Sequence, residues 1–184
     1  VVTLFGSLQA QAAPDTAAAP IGLTEIAQGT ISTVVIQASK DNTLYESDTG
    51  TFSNGAGEHF FAGVTGASSG NSIRRGVLAF DVNAVIPSDA TIVSAMLELN
   101  MSRSVSADKQ VSLYKLTNDW GEGASNADGE EGAGAPAQSG DATWLHAMFD
   151  TTAWSNAGGD FVSSASASIM VGDVGLYSWS SNQL

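Results

Sequence analysis

Carboxylates dominate the chemistry open to this chain, and several crowd one glycine-rich stretch: Asp119, Glu122, Asp128, Glu130, Glu131 and Asp141 lie in or beside 118–140. A calcium ion takes six to eight oxygens from carboxylates, carbonyls and water, and a glycine-rich loop can turn its carbonyls inward to complete that shell. The D-x-D-x-D-G register of an EF-hand is missing. Glu122, Asp141 and Asp119 are the preferred ligands, because tryptophans close by in sequence, Trp120 and Trp144, could fix their backbone. The plainer alternative is an acidic loop that water solvates.

Four tryptophans offer a second chemistry, the stacking of an indole on the apolar face of a sugar ring. Trp144 and Trp179 lie in strand-like runs and read as core, whereas Trp120 and Trp154 abut loops and are the candidate platforms. Arg74 and Arg75 are adjacent, so on a strand they face opposite ways. One should pair internally, with Asp81 or Glu98, and the other, taken as Arg75, should reach a ligand carboxylate. His59 and His146 have no second histidine at ligand spacing and read as structural or exposed.

The constellations of catalysis are missing: no G-x-S-x-G, H-E-x-x-H, P-loop or dinucleotide fingerprint occurs. Glu122 with Asp141 could be written as a glycosidase pair, but any acidic chain offers such pairs. A polysaccharide lyase would use His59 and Tyr45 as base and acid, with Arg75 neutralising a uronate. No spacing supports either, so no catalytic residue is assigned and the chain is read as a non-enzyme.

Nineteen acidic residues against six cations give a net charge of −13. That field leaves no basic stripe for a phosphate backbone, which excludes nucleic acid as a partner. It also opposes acidic polysaccharides unless a local cationic pocket or a bridging metal intervenes. No cysteine is present, so disulfides and thiolate metal sites fall away. Residues 1–8 are apolar and precede Ala10-Gln11-Ala12, the small-residue pattern of a leader cleaved after Ala12. A short amino-terminal strand is the alternative. No other stretch has the run of 18 or more apolar residues that a membrane span needs. The expected location is extracellular or at a cell surface.

The elements that must position these residues read as strands. Charged residues are only 14% of the chain, against a usual share of about 25%, and Gly, Ser, Ala and Thr fill the difference. Residues 75–82 alternate Val77, Ala79 and Asp81 against Gly76, Leu78, Phe80 and Val82. Residues 91–101 set Val93, Ala95, Leu97, Leu99 and Met101 on an apolar face, and 110–116 set Val111, Leu113 and Lys115 against Ser112, Tyr114 and Leu116. The polar link 102–109 predicts that these last two strands form an antiparallel hairpin. Further strands are expected over 31–38, 142–149 and 163–171, with a turn at 156–160 and no long amphipathic helix. Short strands at this spacing predict an antiparallel β-sandwich of jelly-roll type.

Several runs carry a family resemblance: Asp41-Asn42-Thr43-Leu44-Tyr45-Glu46, Phe60-Phe61-Ala62-Gly63, Ile73 through Val82, Ile86-Pro87, Ala90-Thr91-Ile92, Val111-Ser112-Leu113-Tyr114 and Asp119-Trp120-Gly121-Glu122-Gly123, then 140–144 and 158–161. Their order resembles that of DNRLRE-domain proteins, over about Val35 to Leu184. The resemblance implies a secreted jelly-roll related to carbohydrate-binding modules. Members of that branch continue past the equivalent of 177–180 into further strands, which implies a domain truncated at the C-terminus with an unpaired sheet edge. The expected organisation is a leader remnant over 1–12, a Pro- and Ala-rich linker over 13–30, and an incomplete β-sandwich domain over 31–184. The expected function is a secreted non-catalytic module that binds polysaccharide, with calcium as the one candidate cofactor. A structural cell-surface or matrix protein is the alternative and a polysaccharide lyase the weaker one.

Overall fold

The computed structural model describes residues 7–13, as backbone, and residues 31–181. Thirteen strands follow in chain order: β1 (Ser7–Ala13), β2 (Ser32–Ile36), β3 (Lys40–Tyr45), β4 (Phe52–Ser53), β5 (Gly63–Val64), β6 (Ile73–Ala79), β7 (Thr91–Met101), β8 (Lys109–Leu113), β9 (Ala135–Pro136), β10 (His146–Met148), β11 (Thr152–Ala153), β12 (Ala167–Val171) and β13 (Gly175–Ser181). Two single 3₁₀ turns, at Ala67–Ser69 and Val82–Ala84, are the only helical elements among the described residues. The protein is all-β and every strand pair is antiparallel. This multi-sheet arrangement is compatible with a jelly-roll sandwich.

The largest sheet runs β13-β7-β1-β2. Its strand β1 contains the Ala10-Gln11-Ala12 pattern read above as the end of a leader, here seated between β2 and β7. Of the expected leader, 1–6 lie outside the described residues, as do 14–30 of the expected linker and the last three residues of the domain. On β7, the four residues from Ile92 to Ala95 oppose the three from Ala12 to Ala10. That extra residue is a bulge, and a bulge inverts the faces beyond it. Ile92 therefore packs inward against the Ile36 and Ile86 cluster, while Val93, expected inside, is 47% exposed.

The hairpin expected between residues 91–101 and 110–116 does not form. β7 pairs with β13 and β1, and β8 pairs with β12. Alternation fixes which residues share a face but leaves the partner open, and the 102–108 link here carries the chain between sheets. Val111 and Leu113 still face inward, onto Phe60, Leu99 and Trp179, and Trp179 Nε1 donates to the Val111 carbonyl at 3.0 Å.

β6 is the hinge of the site. It lies between β3 and β5, with Val77 packed on a cluster of Leu44, Trp120, Trp144 and Trp154, and Leu78 on the Phe60 cluster behind it. Gly76 is required there, because a Cβ would lie 2.1 Å from Phe60 Cδ2.

Candidate functional site

The acidic loop is a polar knot built on backbone donors. Asp141 is fully buried and accepts from the Gln138 and Ser125 amides at 2.6 and 3.3 Å. Glu122 accepts from the Asp41 amide at 2.9 Å. Asp119 takes Lys40 Nζ at 2.8 Å and its neighbour's amide, at Trp120, also at 2.8 Å, and these hold its carboxyl below the usual range. Glu130 pairs with Arg103, and buried Glu131 accepts from Asn54 Nδ2 and from the Glu58 and His59 amides. The carboxylates preferred as calcium ligands are thus spread along the loop, with Asp119, Glu122 and Asp141 each accepting from backbone amides. No group of three or more His, Asp or Glu able to hold a metal occurs among the described residues.

Side chains the sequence reading passed over complete the knot. Asn42, also fully buried, donates to Ser53 Oγ and the Glu122 carbonyl and accepts from the Asn54 amide. Asn54 accepts from the Ala127 amide. Across the Trp154 loop, Asp160 accepts from the Ser155 and Asn156 amides and from Asn156 and Asn118 side chains. The Ser155 amide is the main cause that draws its carboxyl below the ordinary value. Gly123 is the tightest point: its φ is +77° and a Cβ would meet Asp141 Oδ1 at 1.5 Å. The Asn and Gly spacing was the signal available for these positions, since short amides favour turns and bond back to chain.

The two tryptophans expected as sugar platforms are buried, Trp120 at 3% and Trp154 at 6% exposure. This corrects the expectation. Both pack in one cluster with Trp144, and Trp154 Nε1 donates to the Thr143 carbonyl at 2.9 Å. A loop residue is not thereby an exposed one when the loop itself lies over a sheet. Nor does either arginine form the expected ion pair. Asp81 caps the Ala84 amide and Glu98 takes Ser178 Oγ, so the guanidinium groups find other partners.

Arg75 donates to the Gly158 carbonyl at 2.6 Å and sits 4.9 Å from the Trp144 ring centre and 5.1 Å from that of Phe161. Burial pushes its pKa down. Arg74, on the opposite face, lies 4.8 Å over the Tyr45 ring and donates to the Ile73 carbonyl. Among the described residues neither has a carboxylate within ion-pair distance. Tyr45 is itself buried, donates to the Glu131 carbonyl, and is driven well above its usual pKa by burial.

Arg75 lines a groove of about 1020 Å³ that runs between β6 and β8. At one end stand Tyr114 and Phe161, 46% and 38% exposed, their rings 5.3 Å apart and tilted by 56°. Asn118, Asp119, Lys40 and Lys115 also border the groove, as do Leu78, Leu97 and Val111. Four of the six cations of an acidic chain, Lys40, Arg74, Arg75 and Lys115, thus border one cavity. Exposed aromatic rings beside an uncompensated guanidinium and amide groups are the donor set of a polyhydroxylated ligand. No protein-family model matches the chain, and no curated protein or solved structure does either. The likeness to DNRLRE domains rests on the sequence motifs.

Proposed function

We propose that this chain is a secreted, non-catalytic module that binds polysaccharide, and that the sugar lies at the aromatic end of the β6–β8 groove. The Tyr114–Phe161 pair beside Arg75 carries the proposal, because two partly exposed rings stand together with a guanidinium over the Phe161 ring that can donate hydrogen bonds. Tyr114 and Phe161 take the place first given to Trp120 and Trp154, while Arg75 keeps its role as the ligand-facing cation. Retention on polysaccharide gels tests it. Tyr114→Ala and Phe161→Ala should each weaken affinity by roughly tenfold, the scale of one aromatic contact. Unchanged retention in both would sink the proposal.

A structural cell-surface or matrix protein is the second reading, favoured by aliphatic side chains left bare near the β12–β13 turn. Met170, Val174 and Leu176 are 57%, 62% and 63% exposed. An oligomer that survives dilution and shows no glycan affinity would select it.

A further inference from the structure

We infer that the apolar part of the groove is a slot for one extended polypeptide strand, supplied by a partner chain and carrying a carboxylate at its Arg75 end. This goes beyond glycan binding: it concerns the length of the groove past the aromatic rings and shares only Arg75 with the proposed sugar site. β6 pairs with β3 from Arg74 to Ala79, but on its other side β5 reaches only Ile73 and Arg74. Past Arg74 that second edge has no strand partner among the described residues. The backbone there points outward. The Ile73 and Ala79 carbonyls accept from Glu46 and Ser39 on the β3 side, and the Ser72 carbonyl from Thr65 on the β5 side. By strand alternation, Gly76 and Leu78 turn their N–H and C=O groups away from β3.

β8 is the matching wall. Among the described residues it pairs with β12 alone, and the Leu113 and Lys115 carbonyls accept from Ser166 and Val162 on that side. Gln110 and Ser112 therefore aim their backbone the other way. The groove is lined by consecutive residues of both strands, Gly76 through Ala79 on β6 and Gln110 through Leu113 on β8. A cavity over one face of a sheet touches alternate residues only. One touched by consecutive residues of two strands runs along their edges, which is the geometry of strand addition.

Backbone donors and acceptors on both walls call for a peptide, since a sugar chain cannot supply that ladder. Charge selects its character: Arg74 and Arg75 border the slot with no carboxylate in ion-pair contact among the described residues, in a chain of net charge −13. Occupancy by an acidic-ended strand would complete a sheet from β3 through β6 to β8 and β12.

The test uses a labelled, end-blocked peptide, Glu-Val-Thr-Val-Thr-Val-Thr, followed by fluorescence anisotropy on the whole chain. Saturable binding is expected. Methylating alternate backbone nitrogens of the peptide, or replacing its Glu by Lys, should weaken binding about tenfold or more. Arg75→Gln should erase the preference for Glu, and Ser112→Pro, which removes an N–H facing the slot and none facing β12, should weaken binding to both peptides. Equal binding of the methylated peptide would overturn strand addition, as would no binding at all. A dimer of this chain that the peptide fails to displace would assign the slot to a second copy and overturn the proposed occupant.

Discussion

The two sides of β6 solve the same problem with opposite means. On one, three tryptophans are roofed by loops whose backbone is held by Asp141, Asn42, Asn54, Glu131 and Asp160, and little is left to bind anything. Along the edge of β6 that has no strand partner past Arg74 among the described residues, β6 shares with β8 a groove bordered by exposed rings and four cations. The difference teaches that acidity and tryptophan, the loudest features of the sequence, belong here to the scaffold. The surface proposed to bind is made of quieter residues such as Tyr114, Phe161 and Arg75.

Breaking the roofed side should cost most. Trp144→Ala removes a buried indole, expected to cost about 3–5 kcal/mol, while Tyr114→Ala on the groove should stay within about 1 kcal/mol. Urea denaturation of the two variants measures the contrast, and equal losses would erase it. Asp141→Ala strands the buried Ser125 amide and the part-buried Gln138 amide and should cost about 3 kcal/mol. Asp141→Asn, which keeps one acceptor, should recover part of that. Chelator should leave the midpoint of the unmutated protein unchanged, since the loop's carboxylates are held by chain and lysine.

Acid sharpens the comparison at smaller scale. Asp160 and Asp119 titrate below their ordinary value in the folded state, so they contribute stability above the unfolded carboxylate pKa, near 3.9. That contribution is lost as pH falls from there through their folded values. Asp160→Asn should flatten the fall in stability over this window, read from thermal midpoints between neutral pH and about pH 3. Asp41 has the opposite sign. Desolvation first and Glu122 second raise its pKa, so its contribution is present at low pH and lost as pH rises through the folded value. Asp41→Asn should therefore raise the midpoint slightly at neutral pH and leave it unchanged in acid. A uniform change at both would reject that assignment.

Alternation made the inner faces of β6 and β8 legible, because Val77, Leu78, Val111 and Leu113 each fill a side of a pleat. It could not report the bulge at 92–95, which depends on the count of residues in the neighbouring strand. Nor could it pair β8 with β12, a contact between distant parts of the chain. Burial of Trp120 and Trp154 was hidden for a related reason: glycine-rich sequence reads as surface until loops are known to lie over a sheet. Arg75 was found by its scarcity, whereas Tyr114 and Phe161 meet only after Leu116 and Phe161 bridge two segments.

Titrating a soluble oligosaccharide into isotopically labelled protein, with amide shifts followed residue by residue, tests the division of labour most directly. Shifts centred on Tyr114, Phe161 and Gly158, with the 122–141 loop unmoved, are the expected result. Shifts confined to that loop, or none with any glycan offered, would contradict the assignment of the groove as the binding surface.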